Sequence, residues 1–322
     1  MNPKPWLASS LLAISFLAQA QSYPSRPIRI IQPAPPGGPS DVQIRGIAPL
    51  LTQSIGQPLI IENRPGGDGI ISAEACANAA PDGYTLCLTQ SAVIVGNPLL
   101  HSKLSYDPER QFLPIIGMGV FTSALLVHPS VPVNNVQELI SLARKNPDSV
   151  TWGTSSSAPT TSEMLYIEWF KRTQDVRFLA VPYKINTQAL NGAVAGEVNM
   201  ALYAMGQSVR LAKNGQVRII GIVDDKRSAY LPAMPTLREQ GIDLLARSWF
   251  GLFGRVGMPE EGVRRLNAEI NRIQFDGDVR EKFSTAVGLN FSPNTPEEFA
   301  AFIRSERNNL TKLYAQVGLK KD

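Results

Sequence analysis

Apolar and polar residues alternate along the chain with two periods, one typical of strands and one of helices. Ile28–Ile31 is a short apolar run bounded by prolines, which predicts a buried strand. The apolar residues between Val42 and Leu51 are spaced for one face of a helix, and Gly56 is placed to end it. The Gly- and Pro-rich segment Pro33–Asp41 separates the two, so the stretch predicts strand, turn and helix.

The turn between this strand and this helix has the features of an anion site. Gly37 and Gly38 have no Cβ, so the backbone can come close to a ligand, and free N–H groups at a helix start attract anions. No Gly-Lys-Ser/Thr follows, which excludes a nucleotide P-loop. Ser40 is the predicted N-cap, and Asp41 suits the helix dipole, where we expect it to orient the turn. We predict a carboxylate site at Pro36, Gly37, Gly38, Ser40 and Asp41; a structural turn is the alternative.

The plan of strand, turn and helix repeats downstream. The predicted elements are a strand at 57–64, a Gly-rich turn at 65–69, a helix at 70–80 and a strand at 84–88. Parallel winding of this kind puts ligands at the carboxyl ends of strands, so we expect Gln90 and Ser91 beside the first turn, with a solvated loop as the alternative. Pro49 lies inside the first predicted helix and is expected to kink or interrupt it.

A second lobe follows with the same plan. Ile115–Val127 and Leu244–Gly257 are long extended segments, longer than a usual strand, and we predict that they connect the two lobes. A strand at 150–153 opens onto a hydroxyl-rich turn and a helix. The candidate ligand donors of that turn are Thr154, Ser155, Ser156 and Thr161, with a capping role as the alternative. Tyr203 ends another predicted strand and is a candidate to cover the ligand, with core packing as the competing interpretation.

Charge and composition exclude several kinds of function. The 322-residue chain has a net charge of +4, but no run of Lys and Arg exceeds two, so no nucleic-acid footprint is indicated. Its two histidines, His101 and His128, are far apart and there is no Cys-x-x-Cys, which argues against structural zinc and a thioredoxin-like site. No Gly-x-Ser-x-Gly is present, and both histidines precede the Ser155 cluster. We expect a protein that is not an enzyme and that needs no cofactor or metal.

The N-terminus has the pattern of a secretion signal. Lys4 precedes an apolar core at Trp6–Ala18, and Ala18–Ala20 is a small-x-small cleavage site. A membrane span needs roughly 20 apolar residues, so an uncleaved anchor is the weaker alternative. We expect cleavage after Ala20 and a mature, soluble protein in the periplasm. Export would permit a disulfide between Cys76 and Cys87, and two buried thiols are the alternative.

Eight short motifs are spread through the chain in order: Tyr23–Arg29, Pro35–Asp41, Glu62–Gly66, Ala80–Leu86, Leu104–Pro108, Val181–Lys184, Pro235–Glu239 and Ser248–Leu252. With these motifs the chain resembles the Bug-type extracytoplasmic solute-binding proteins of tripartite tricarboxylate transporters. The resemblance implies an α/β, two-lobed periplasmic-binding-protein clamshell of the type II-like class, in which each lobe is a mixed sheet flanked by helices and two strand connectors form the hinge. The implied lobes are 21–123 with 247–322, and 124–246.

The same resemblance implies a ligand and partners. The ligand would be a small organic acid or amino acid, held largely by backbone N–H groups and water, and a monomeric protein would deliver it to the membrane subunits of a transporter. A periplasmic sensor that presents the bound carboxylate to a membrane receptor is the alternative function, because it needs the same clamshell.

The sequence departs from the family pattern at several positions, most of them in the second lobe. Ala34 stands where the family usually has an aromatic residue, and Ile185 where a glycine usually follows the Pro-Tyr-Lys stretch. The turn Thr154–Ser162 lacks the usual glycines and His-Leu pair, for which Met164-Leu165 is the nearest counterpart. Gly192 stands where an acidic residue is common. We therefore expect a retained anion cradle in the first lobe and a remodelled surface in the second.

Overall fold

The computed structural model describes residues 23–155, 157, 161–228, 231–283, 289–290 and 292–321. The predicted signal peptide (1–20) and Ser156 lie outside the described residues. Across the described ranges, no helix combines the length and the apolar composition that a membrane span needs.

The secondary structure alternates between strands and helices, as the sequence predicts. In chain order the elements are β1 (Ile28–Gln32), α1 (Pro39–Ile55), β2 (Leu59–Asn63), α2 (Ile70–Ala77), β3 (Thr85–Gln90), α3 (Asn97–Leu100), α4 (Pro108–Gln111), β4 (Phe112–Phe121), β5 (Ser123–Val127), α5 (Val136–Lys145), β6 (Thr151–Thr154), α6 (Ser162–Thr173), β7 (Leu179–Pro182), α7 (Asn186–Ala195), β8 (Met200–Ala204), α8 (Met205–Lys213), β9 (Arg218–Val223), β10 (Trp249–Arg255), α9 (Glu260–Gln274), α10 (Gly277–Phe283), β11 (Leu289–Asn290) and α11 (Pro296–Gln316).

The described strands form two sheets, one in each lobe. The first has the order β11-β4-β10-β3-β1-β2 and the second the order β7-β6-β8-β5-β9. β1 pairs in parallel with β2 and β3, whereas β10 is antiparallel to β3 and β4. In the second sheet β6 is parallel to β7 and β8, and β5 is antiparallel to β8 and β9. The prediction of two mixed sheets flanked by helices is confirmed.

The chain crosses between the sheets at two places. β4 ends at Phe121 in the first sheet and β5 begins at Ser123 in the second, so Thr122 makes the first crossing. The return crossing lies between β9 and β10. The predicted connector Ile115–Val127 is therefore two strands in different sheets, and only its middle joins the lobes.

Several helix ends are capped by residues close in sequence, and the predicted end of α1 at Gly56 is confirmed. The Asn135 side chain accepts a hydrogen bond from the Glu138 N–H at 2.9 Å, and Thr295 forms a capping box with Glu298. Gly56 ends α1 in the left-handed conformation, with φ at +76°.

Two expectations about α1 are wrong. The helix begins at Pro39 with Gly38 as its N-cap, so Ser40 lies in the first turn and is not the cap. The preset φ of proline suits the first helical position, which explains the earlier start. Pro49 does not interrupt the helix. It lies on the exposed side, and packing of the opposite face on the core outweighs the lost backbone hydrogen bond.

A disulfide joins Cys76 in α2 to Cys87 in β3, with the two Cα atoms 5.9 Å apart. Between the two alternatives that the sequence leaves open, the structure has the bridge. The bond ties α2 to a strand that reaches the space between the lobes.

The last helix packs on both lobes. Phe299 and Ile303, near the start of α11, are buried against Trp249 in the first lobe. Leu313 and Tyr314, near its end, belong to the core of the second lobe. The middle of α11 therefore passes beside the boundary between the lobes.

Candidate functional site

A cavity of about 720 Å³ lies between the two lobes. Its walls come from the carboxyl ends of β1 and β3 in the first lobe and of β6, β7 and β8 in the second, as the parallel winding predicts. The connectors and the middle of α11 complete it. The predicted site residues that line it are Pro36, Gly37, Gly38, Ser40, Gln90, Ser91, Ser155, Thr161 and Tyr203. Asp41 and Thr154 are buried behind the wall, and Ser156 is outside the described residues.

The amides of Gly37 and Gly38 have acceptors within the protein. The Gly37 N–H donates to Asp41 Oδ2 at 2.9 Å, and the Gly38 N–H donates to the Pro35 carbonyl at 3.0 Å. Neither amide is therefore available to a ligand in this conformation. Gly37 is still required by the turn, because its φ of +81° is one that other L-residues rarely adopt.

The backbone N–H groups without an acceptor lie just after the glycines, in the first turn of α1. Ser40 and Asp41 are in the first turn of α1, where N–H groups have no intrahelical acceptor, and the described residues offer them no other. Ser40 lines the cavity, and the positive end of the helix dipole is there. The start of α1, with the glycine turn before it, is thus the candidate anion cradle.

Asp41 fixes the shape of this cradle. It is 3% exposed, and its carboxylate accepts hydrogen bonds from Gln32 Nε2 (2.7 Å), Arg45 Nε (2.8 Å), Asn63 Nδ2 (2.9 Å) and the Gly37 N–H. Burial raises the pKa of Asp41, but the hydrogen bonds from Asn63, Gly37 and Arg45 outweigh it and hold the pKa below its usual value. The prediction that Asp41 orients the turn agrees with these contacts.

A second helix start faces the same cavity. Residues 91–100 are helical, with a π-helical turn at Ala92–Gly96, and they follow β3, the neighbour of β1 in the sheet. The first N–H groups of such a segment have no intrahelical acceptor, and π-helical turns are frequent at functional sites. Ser91 Oγ accepts from the Trp249 N–H at 3.5 Å, which leaves its O–H able to donate to a ligand.

The second-lobe residues are mostly engaged with one another. Thr161 caps α6 by accepting a hydrogen bond from the Met164 N–H at 3.4 Å, so the capping alternative holds for its side chain. Ser155 Oγ donates to Glu163 Oε1 at 3.2 Å. The Tyr203 hydroxyl is hydrogen-bonded to Thr187 at 3.0 Å, and the half-buried side chain both lines the cavity and packs against an apolar cluster of the second lobe.

Arg247 is the single basic side chain on the wall among the described residues, and the undescribed positions between 23 and 321 hold no Lys, Arg or His. Two carboxylates already hold it: Glu306 Oε1 at 2.7 Å and Asp225 Oδ2 at 2.8 Å. Desolvation lowers the pKa of Arg247, but the charges of Glu306 and Asp225 more than compensate. This pair was not predicted, because its members are 59 residues apart in the sequence.

Residues 44–319 match the profile of the tripartite tricarboxylate transporter family receptor. The chain belongs to this receptor family. Among curated relatives, BugT of Bordetella pertussis is 30% identical, and the match covers 94% of this chain and 92% of BugT. The assignment confirms the resemblance found in the sequence motifs.

Two solved structures that share the fold are described with a bound carboxylate. R. palustris Rpa4515 with adipate is 28% identical, with a TM-score of 0.80 over 93% of this chain and 100% of that one. MatC from Rhodopseudomonas palustris with bound malate is 27% identical, with a TM-score of 0.74 over 90% of this chain and 99% of that one. The matching family is described as a receptor family.

Proposed function

We propose that the mature chain is a periplasmic solute-binding protein that captures a small carboxylate and presents it to the membrane subunits of a tripartite tricarboxylate-type transporter. The observation that carries the proposal is the convergence of two helix starts, α1 and the segment from Ser91, on one cavity between two lobes. The carboxylates bound by relatives of the same fold, adipate and malate, support the ligand class.

The ligand would be held by main-chain donors rather than by an arginine. Arg247 is paired with Glu306 and Asp225, whereas the N–H of Ser40, which lines the cavity, has no acceptor among the described residues. Charge-assisted hydrogen bonds contribute about 1.5–3 kcal/mol each, so a few of them give useful affinity. Gln90 and Ser91 would supply further donors from the neighbouring strand end.

The two lobes would close on the ligand by rotating about the two places where the chain crosses between the sheets. The proposed lobes, 21–123 with 247–322 and 124–246, meet at Thr122 and just before β10. Because α11 contacts both cores, we propose that its last turns move with the second lobe.

The Ser40→Asp variant tests the site. An aspartate at this position puts a fixed negative charge where the ligand carboxylate would bind, yet an acidic residue in the first helical turn does not oppose the helix dipole. Two unit charges about 4 Å apart repel by roughly 4 kcal/mol near a protein surface, so affinity should fall by about 100-fold or more.

Thr295→Asp is the matched control, since it adds the same charge at the start of α11, away from the cavity. Calorimetry of both variants against mono-, di- and tricarboxylates and amino acids gives the comparison, and circular dichroism checks the fold. Equal affinities for the two variants would contradict the proposed site, and no binder for the unmodified chain would contradict the proposed function.

A further inference from the structure

Glu163 is a carboxyl group on the cavity wall that the carboxylate-binding account does not use. It lies in the first turn of α6, it is 5% exposed, and it lines the cavity from the second lobe. No Lys, Arg or His of the described residues forms an ion pair with it, and the undescribed positions between 23 and 321 hold none of these residues. A buried charge of this kind normally has a partner.

The donors of the second lobe are directed at Glu163 and not at a ligand. Ser155 Oγ donates to its Oε1 at 3.2 Å, and the N–H groups of Glu163 and Ser155 face the same carboxyl. Burial nevertheless raises the pKa of Glu163, because these hydrogen bonds do not replace the lost water. At this helix start, the position that an external anion would take is already filled by a side chain.

The other charged residues that line the cavity also disfavour a second carboxylate on the ligand. The acidic lining residues are Asp68, Glu163 and Glu306, and the one basic lining residue, Arg247, is shared between Glu306 and Asp225. A ligand with a second carboxylate would therefore bring an additional negative charge towards a wall that has no free cation for it. A ligand with a positive group at that end would supply what Glu163 lacks.

We propose that Glu163 selects ligands that carry a protonated amine opposite the carboxylate, so that the chain takes an amino carboxylate in preference to a dicarboxylate. The carboxylate would bind at the starts of α1 and of the segment from Ser91, and the ammonium group would pair with Glu163 across the cavity. The inference rests on the proposed function. It also predicts that this chain prefers a different class of ligand from the adipate and malate in the structures of its relatives.

Matched pairs of ligands test the selection. Each pair has the same number of methylene groups and differs only at one end: 4-aminobutyrate with glutarate, 5-aminopentanoate with adipate, and 6-aminohexanoate with pimelate. Calorimetry of the unmodified chain should find at least one amino member that binds about ten- to hundredfold more tightly than its dicarboxylate, the factor expected of a charge-assisted hydrogen bond. A tighter dicarboxylate in every pair that binds would overturn the inference.

The Glu163→Gln variant assigns the selection to this residue. Glutamine keeps the shape of the side chain and can still accept a hydrogen bond from Ser155, but it carries no negative charge. The affinity for the amino carboxylate relative to its matched dicarboxylate should therefore fall to about one or below. Glu168→Gln, on the same helix but outside the cavity lining and paired with Lys171 and Arg172, should keep the ratio of the unmodified chain. An unchanged ratio in Glu163→Gln would overturn the role of Glu163. If dicarboxylates bind and amino carboxylates do not, the inference fails while the proposed function stands. If neither class binds, the inference fails as well, and the proposed function itself fails only when no mono- or tricarboxylate binds either.

Discussion

Removal of the Asp41 carboxylate should loosen the first lobe at its anion cradle. In Asp41→Ala, Gln32 Nε2 and the Gly37 N–H lose their acceptor, and Asn63 Nδ2 loses one of its two acceptors while it keeps the Ala34 carbonyl at 2.8 Å. Gln32 is fully buried, so water cannot replace the lost bond at that side chain. We expect the free energy of unfolding to fall by about 3–5 kcal/mol, the range for breaking one side of a buried charged network, and Arg45, which is half-exposed, adds little.

The assay is chemical unfolding followed by circular dichroism, with Asp243→Ala as the control. The Asp243 side chain is 82% exposed and pairs with Arg238 at 3.3 Å, so its removal should cost less than about 1 kcal/mol. If both variants lose the same small amount, the buried network does not hold the turn and the reasoning is refuted.

The pH dependence gives a second check on Asp41. Its pKa is lowered in the folded chain, so its contribution is complete above the unfolded pKa of about 4 and is lost as the pH falls through the lowered value. The acid limb of stability against pH should therefore be shallower in Asp41→Asn than in the unmodified chain.

Three further predictions concern other parts of the chain. Pro49→Ala should raise the free energy of unfolding by up to about 3 kcal/mol, since alanine restores a helical N–H in α1, and a loss of stability in chemical unfolding would contradict this. Reduction of the Cys76–Cys87 bond should lower the free energy of unfolding by about 3 kcal/mol, measured with and without dithiothreitol, and free thiols in the untreated protein would refute the bridge. The pKa of Glu163 is raised, so the folded chain keeps the Glu163 proton to a higher pH than the unfolded chain and loses stability as the pH rises above about 4. Glu163→Gln lacks this loss, so the difference in free energy of unfolding between the variant and the unmodified chain should grow with pH. A difference that stays constant with pH would show that the carboxyl is not desolvated.

Local signals in the sequence were sufficient for much of the fold. The capping residues Asn135 and Thr295 act on N–H groups three residues away, and Gly56 ends its helix through its own φ, so no distant contact decides them. The succession of strands and helices indicates the parallel winding in the same way, and with it the edge of the sheet at which a ligand is expected.

Distant contacts decide the parts that the sequence did not predict. Asp41 accepts hydrogen bonds from side chains of β1 and β2 and also from the Gly37 amide, which is therefore not available to a ligand. Glu163 looks like an ordinary first-turn glutamate in sequence, and only its burial against the cleft gives it a role. Arg247 and Glu306 meet because α11 passes beside the boundary between the lobes, which no local pattern indicates.

A crystal structure with a ligand that calorimetry has identified would test the central claim most directly. The account predicts that the carboxylate oxygens lie within about 3.2 Å of N–H groups at the starts of α1 and of the helical segment from Ser91, with Arg247 still paired to Glu306. A carboxylate bound to Arg247, or to any surface outside the cavity between the lobes, would contradict it.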